Sequence, residues 1–156
     1  MDRVKTIFVA FGAALSSFLG ILYIPVILMV VCNVIDYITG IFAAPFRGEK
    51  ISSAVGLKGI IKKVCMWLLV IVGVIVDKLI IYAAETIGLN FPFSFLVACI
   101  VSIWIICNEV ISILENIKDT GVKVPKFLTK ILYYIKDRTE ETAILDSNED
   151  GKDDDE

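Results

Sequence analysis

The chain alternates long apolar blocks with short polar breaks. Apolar runs cover residues 7–22, 26–46, 64–84 and 95–114. The last two are each about 20 residues, the length a helix needs to cross a bilayer's hydrocarbon core. Unpaired backbone groups cannot face lipid, so such runs are read as helices and the fold as an all-α integral membrane bundle. Four transmembrane helices are expected. The first block is short, and if it lies at the interface instead, a three-span protein results. Beyond the last block, Phe127, Leu128, Ile131, Leu132 and Ile135 share one helical face, with Lys126, Lys130 and Asp137 off it. This predicts an amphipathic helix over 125–137 on the membrane surface, with Pro125 at its first turn. Residues 139–156 are dominated by acids and read as a disordered tail, leaving 1–138 as the membrane domain.

Composition supports this division. Of 156 residues, 57% are apolar, against the roughly 45–50% of soluble domains, and mean hydropathy is +0.80. There are no histidines, which removes the commonest general base and metal ligand. An enzyme is not expected, nor a metal, cofactor or nucleic-acid ligand. Cys32, Cys65, Cys99 and Cys107 all fall in apolar runs without CxxC spacing and read as small buried hydrophobes. Arg3 and Lys5 give a signal-like start, but the apolar run outlasts any 7–15-residue signal core, so an uncleaved first span is expected.

Charge sets the orientation. The connection 45–63 holds Arg47, Lys50, Lys58, Lys62 and Lys63 against Glu49 alone, and Lys118, Lys123, Lys126, Lys130, Lys136 and Arg138 follow the last span. The connection 85–94 has no basic residue. The positive-inside rule places both basic segments in the cytoplasm, and with four spans both termini as well. The five basic residues of the first connection are expected to meet lipid headgroups, with Gly56 and Gly59 allowing bends.

Polar residues inside the spans are few. Asp36 is the only Asp, Glu, Lys or Arg between residues 6 and 46, and an intramembrane charge is functional by default. Asn33, Asp36, Tyr37 and Gly40 fall on one face of the second span, with Thr39 beside them. Ser102, Glu109, Ser112 and Asn116 form a stripe on the fourth. Asp77 and Lys78 lie in the outer half of the third. Such a face can be a hydrogen-bonded patch between helices, a wall that meets water once copies assemble, or an ion site. Glu109 can also be a snorkelling residue near a solvated helix end. Gly12, Ser16 and Gly20 recur every fourth residue, a spacing that lets helices pack closely. Packing on the second span and dimerisation both fit it.

The order of these elements resembles a known family. Asp36-x-x-Thr39-Gly40 is followed by Ser52-Ser53-x-x-Gly56-x-x-Gly59-x-x-Lys62-Lys63 and then Asp77. Next come Asn108-Glu109-x-x-Ser112-x-x-Glu115-Asn116 and Gly121-x-x-x-Pro125-x-x-Leu128. Together they are similar to the phage holin family that includes the clostridial toxin-secretion holins, over about residues 26–132. The resemblance implies a small protein of the bacterial cytoplasmic membrane that forms homo-oligomers. These open lesions through which an endolysin, or in some relatives a toxin, leaves. On it, Asn33, Asp36, Thr39, Gly40, Asp77, Glu109, Ser112 and Asn116 are expected on a pore or assembly face. A small ion channel or proton-coupled transporter using Asp36, and a non-lytic scaffold, are the rival readings.

Overall fold

The computed structural model describes residues 2–49 and 52–148. Among them all regular structure is helical: α1 (Asp2–Leu19), a 3-10 turn (Gly20–Leu22), α2 (Tyr23–Ala43), α3 (Ser53–Thr86), α4 (Leu96–Asp119) and α5 (Lys126–Asn148). Three segments are long and apolar enough to span a membrane: Gly20–Ala43, Ser53–Thr86 and Leu96–Asp119. The first expected span starts earlier than its apolar run, at Asp2, and ends at Leu19, before Gly20, whose φ of +52° breaks the helix. That places Gly20 outside α1 and interrupts the Gly12/Ser16/Gly20 stripe. Nothing lies within 4 Å of where a Cβ on Gly12 or Gly20 would stand, so α2 does not pack on this stripe.

The core is α2, α3 and α4, with α4 in the middle. Met29, Val70 and Ile105, one from each helix, form its buried centre, and Met66, Val101, Trp104 and Ile106 pack against them. Contacts run Met29 to Ile105 and Asp36 to Asn116, so α2 and α4 point the same way. Lys63 reaches Glu109 and Asp77 reaches Ala98, so α3 runs opposite. The three helices thus alternate in direction. Gly73 lets α3 approach α4 closely: a Cβ there would sit 2.9 Å from the Ala98 Cα.

Two boundaries differ from expectation. Residues 53–63 are not a bending surface segment but the start of α3. The Ser52 hydroxyl accepts from the Val55 N–H at 3.3 Å, a side-chain N-cap, and Gly56 and Gly59 lie within a continuous helix of 34 residues. At 1.5 Å per residue α3 is about 51 Å long, so it overshoots a hydrocarbon core of about 30 Å. The C-terminal helix also continues to Asn148, through ten residues expected to be unstructured. Residues 139–148 have no Gly or Pro, and Glu140, Glu141, Ala143 and Leu145 among them are good helix formers. An Arg138–Glu141 pair at 3.0 Å bridges one turn of it. The rest of the acidic tail, 149–156, lies outside the described residues.

Rather than standing free, α5 folds back along α4. The Trp104 indole N–H donates to Glu140 at 2.6 Å, and the Lys136 ammonium lies 5.6 Å from the Trp104 ring centroid. This bond is at the surface, joining a half-buried Trp104 to an exposed Glu140. Phe127, Leu128, Ile131 and Ile135 remain exposed, whereas Leu132 of the same expected face is half-buried.

Candidate functional site

Three charges on three different helices converge. The Lys63 ammonium on α3 donates to Asp36 Oδ2 on α2 at 2.8 Å and to Glu109 Oε2 on α4. The Lys63 and Asp36 side chains are 15% and 16% exposed, and Glu109 is 4% exposed. Charges this far from water persist only when paired. The backbone explains why they meet. Parallel α2 and α4 present their acids toward the same gap, and antiparallel α3 carries a long, flexible side chain into it.

The network extends toward the basic end of the bundle. Asn116 Nδ2 donates to Asp36 Oδ1 at 3.1 Å and to Thr39 Oγ1 at 3.2 Å, while its Oδ1 accepts from Arg47 at 3.0 Å. Arg47 also bonds Asp119 at 3.1 Å and Glu49 at 3.2 Å. Hydrogen bonds donated to Asp119 first, then to Glu49, hold the guanidinium pKa above its already high range. Gly40 lies beside this amide, where an added Cβ would make an ordinary contact of 3.7 Å with Asn116 Nδ2. Contact between Arg47 and Asp119 also brings the two basic segments to the same end of the bundle.

Several expected site residues take other positions. Lys63 is not at a lipid surface; it is the cation of the buried triad. Arg47 is tied to Asn116, Asp119 and Glu49, whereas Lys58 and Lys62 are exposed. Lys50 lies outside the described residues. Glu109 is 3% exposed, buried rather than snorkelling. Asp77 is on no shared face with Asp36: it caps α4, accepting from Val97 N–H at 2.8 Å and Ala98 N–H at 2.9 Å. Residue Phe95 before α4 is left-handed (φ 66°) and gives no side-chain cap. The neighbouring helix therefore supplies a carboxylate to the positive helix end. Lys78 lies 5.4 Å from the Phe95 ring centroid at that end. Of the cysteines, only Cys107 is fully buried, and Cys65 is exposed.

Between α2 and the first half of α3 a cleft of about 1110 Å³ opens. Asp36, Gly40, Glu109, Ser112 and Asn116 line its inner side, and Ser52, Gly56, Lys58 and Lys62 its outer side. The two walls come close at Tyr37, whose hydroxyl would lie 3.3 Å from a Cβ on Gly56. Sequence reasoning found both acids but missed their partner. The signal was present: Lys63 closes the basic connection at the edge of an apolar run, and two isolated acids in neighbouring spans require a cation.

A helical membrane protein with a buried three-helix ion network is the class this geometry defines. The bacteriophage holin family profile matches residues 13–137, and the chain belongs to that family. A probable holin of Bacillus phage phi105 is 32% identical over 109 residues, covering 70% of this chain and 72% of the relative. An uncharacterised Listeria innocua protein is 35% identical over 122 residues, covering 78% of this chain and 79% of its own length. One from Clostridium perfringens is 28% identical over 127 residues, covering 81% and 86%. No solved structure matches.

Proposed function

We propose that this protein acts as a holin, assembling from many copies in the cytoplasmic membrane and opening lesions that release an endolysin or another protein such as a toxin. The observation that carries this reading is the open-sided cleft floored by Asp36, Lys63 and Glu109. A charged cleft in the half of the bundle next to its basic end cannot rest against hydrocarbon. It must be covered by other copies or filled with water. Small assemblies do the first and large ones the second, so one surface serves both a silent and a lytic state. Asp36, Gly40, Glu109, Ser112 and Asn116 line this face, with Thr39 hydrogen-bonded to Asn116 beside it, whereas Asn33 lies in a separate groove between α2 and α3.

In this reading the basic end faces the cytoplasm, as the positive-inside rule favours. With α1 as a fourth span, Arg3 and Lys5 lie on the same side. Once α4 is inserted, α5 with Lys136, Arg138, Glu140 and Glu141 cannot share the hydrocarbon with Trp104. It swings out and lays Phe127, Ile131 and Ile135 on the leaflet. The test is expression in bacteria with dye entry and release of a cytosolic reporter enzyme followed in time. Abrupt entry followed by reporter release, in the presence of a wall hydrolase, is expected. Ion-selective flux without sudden entry would favour a transporter, and no flux at all a scaffold.

A further inference from the structure

The charged cleft does not end at Lys63. Tyr37, Ile60 and Lys63 also line the second groove, of about 560 Å³, so one leads into the other along the gap between α2 and α3. This slot changes character along its length. Beyond Lys63 it is walled by Val34, Ile38, Val64 and Trp67, which are 40–54% exposed. Depth accounts for the change. The apolar run 64–84 is about 32 Å long at 1.5 Å per residue, matching a hydrocarbon core of about 30 Å. Lys63 therefore stands at the edge of the hydrocarbon, Lys58 and Lys62 in the polar layer, and Trp67 about 6 Å inside. A slot that is charged at headgroup depth and apolar at acyl-chain depth matches the build of a phospholipid.

The charges in the cleft narrow the headgroup. Asp36 and Glu109 share a single ammonium, that of Lys63, so the inner wall keeps an excess of negative charge. The Asp36 side chain is 16% exposed, and its Oδ1 and Oδ2 each accept one bond and keep a lone pair for another. On the outer wall Lys58 and Lys62 are exposed and pair with no acid among the described residues. An anionic headgroup suits these lysines but is repelled by the acids. A quaternary ammonium has no N–H to give Asp36. A primary ammonium joined to a phosphate suits both walls. We propose that the slot binds an aminophospholipid of the phosphatidylethanolamine type. Its ammonium donates to Asp36, its phosphate turns toward Lys58 and Lys62, and an acyl chain lies against Val34, Val64 and Trp67. This goes beyond the holin reading and needs only a chain inserted with its basic end in a leaflet's polar layer.

The experiment uses the full chain with Trp104→Phe, which leaves Trp67 as its only tryptophan. It is reconstituted in phosphatidylcholine vesicles that contain a small fraction of phospholipid brominated on its acyl chains. Bromine quenches an indole it touches, so Trp67 emission reports which lipid occupies the groove. The brominated ethanolamine lipid should half-quench Trp67 at about tenfold lower mole fraction than the choline or the glycerol lipid, the size of a charge-assisted hydrogen bond. Equal quenching by all three would overturn the site, since the groove then holds bulk lipid. Stronger quenching by the glycerol lipid would overturn it too, leaving only attraction to the lysines. Joint Lys58→Gln and Lys62→Gln, at exposed positions that leave the fold intact, should remove most of the preference, as should Asp36→Asn. A preference unchanged in both would overturn the headgroup's placement. Either failure leaves the holin reading standing if cells still become permeable, and loss of permeabilisation leaves the lipid preference to be read by itself.

Discussion

Lys63 and Asp36 meet at 2.8 Å although a whole connection and two helix ends separate them in the chain. Their contact is what ties the first half of α3 to α2, since a cleft lies beside it and α3 otherwise leans on α4. It also commits the third partner, Glu109, to the same cation. The network is therefore a joint between three helices, and loosening it should be felt by all of them.

Replacing Lys63 leaves two buried carboxylates facing each other. Lys63→Met is expected to destabilise the bundle by about 3–5 kcal/mol, the cost of breaking a buried pair by removing one partner. Adding Asp36→Asn and Glu109→Gln to it should restore much of that loss. Unfolding by denaturant in detergent micelles measures both, and full stability of the single variant would contradict the joint.

Asp36→Asn alone removes a charge but keeps the shape and one acceptor. Insertion should persist, while the moment of lysis shifts, because the face that must become wet has changed polarity. Lysis curves that overlay wild type would remove Asp36 from the assembly face.

Asp77 should behave as a cap and not as a pore residue. Asp77→Ala is expected to cost about 0.5–2 kcal/mol, the usual range for losing an N-cap, and to speed hydrogen exchange at the amides of Val97 and Ala98. Asp77→Asn, which keeps an acceptor, should lose less. Equal exchange in all three proteins would rule the cap out.

Two glycines of α3 predict opposite signs. Gly73→Ala drives a Cβ to within 2.9 Å of Ala98 Cα, and overpacking of this kind costs about 1–3 kcal/mol. Gly59→Ala meets nothing within 4 Å and should stabilise by about 0.4–1 kcal/mol through the unfolded chain. Thermal melting of the two variants side by side decides it.

Trp104 reports where α5 lies. In a chain with Trp67→Phe, deleting α5 should change Trp104 emission in detergent, where Glu140 holds the indole N–H. In bilayers the same deletion should have little effect, because α5 has left for the leaflet. A large change in bilayers would keep α5 on α4.

The sequence by itself determined that this is a helical membrane protein with apolar segments long enough to cross a bilayer, and that Asp36 stands alone in one of them. Those properties are local: apolar length is set by the bilayer, and a charge such as Asp36 is conspicuous against its own neighbours. It did not reveal what each charge touches. Lys63 reads as a headgroup residue along the chain because it closes a basic connection. Only antiparallel packing of α3 against parallel α2 and α4 turns its side chain inward. Asp77 likewise looks like one more intramembrane acid until the start of α4, lacking its own cap, is brought beside it. The helix from Ser53 to Lys63 and the fold-back of α5 belong to the same class. Each depends on a partner distant in the chain, and periodicity, which reads a helix's own faces, carries no information about which neighbour will cover them.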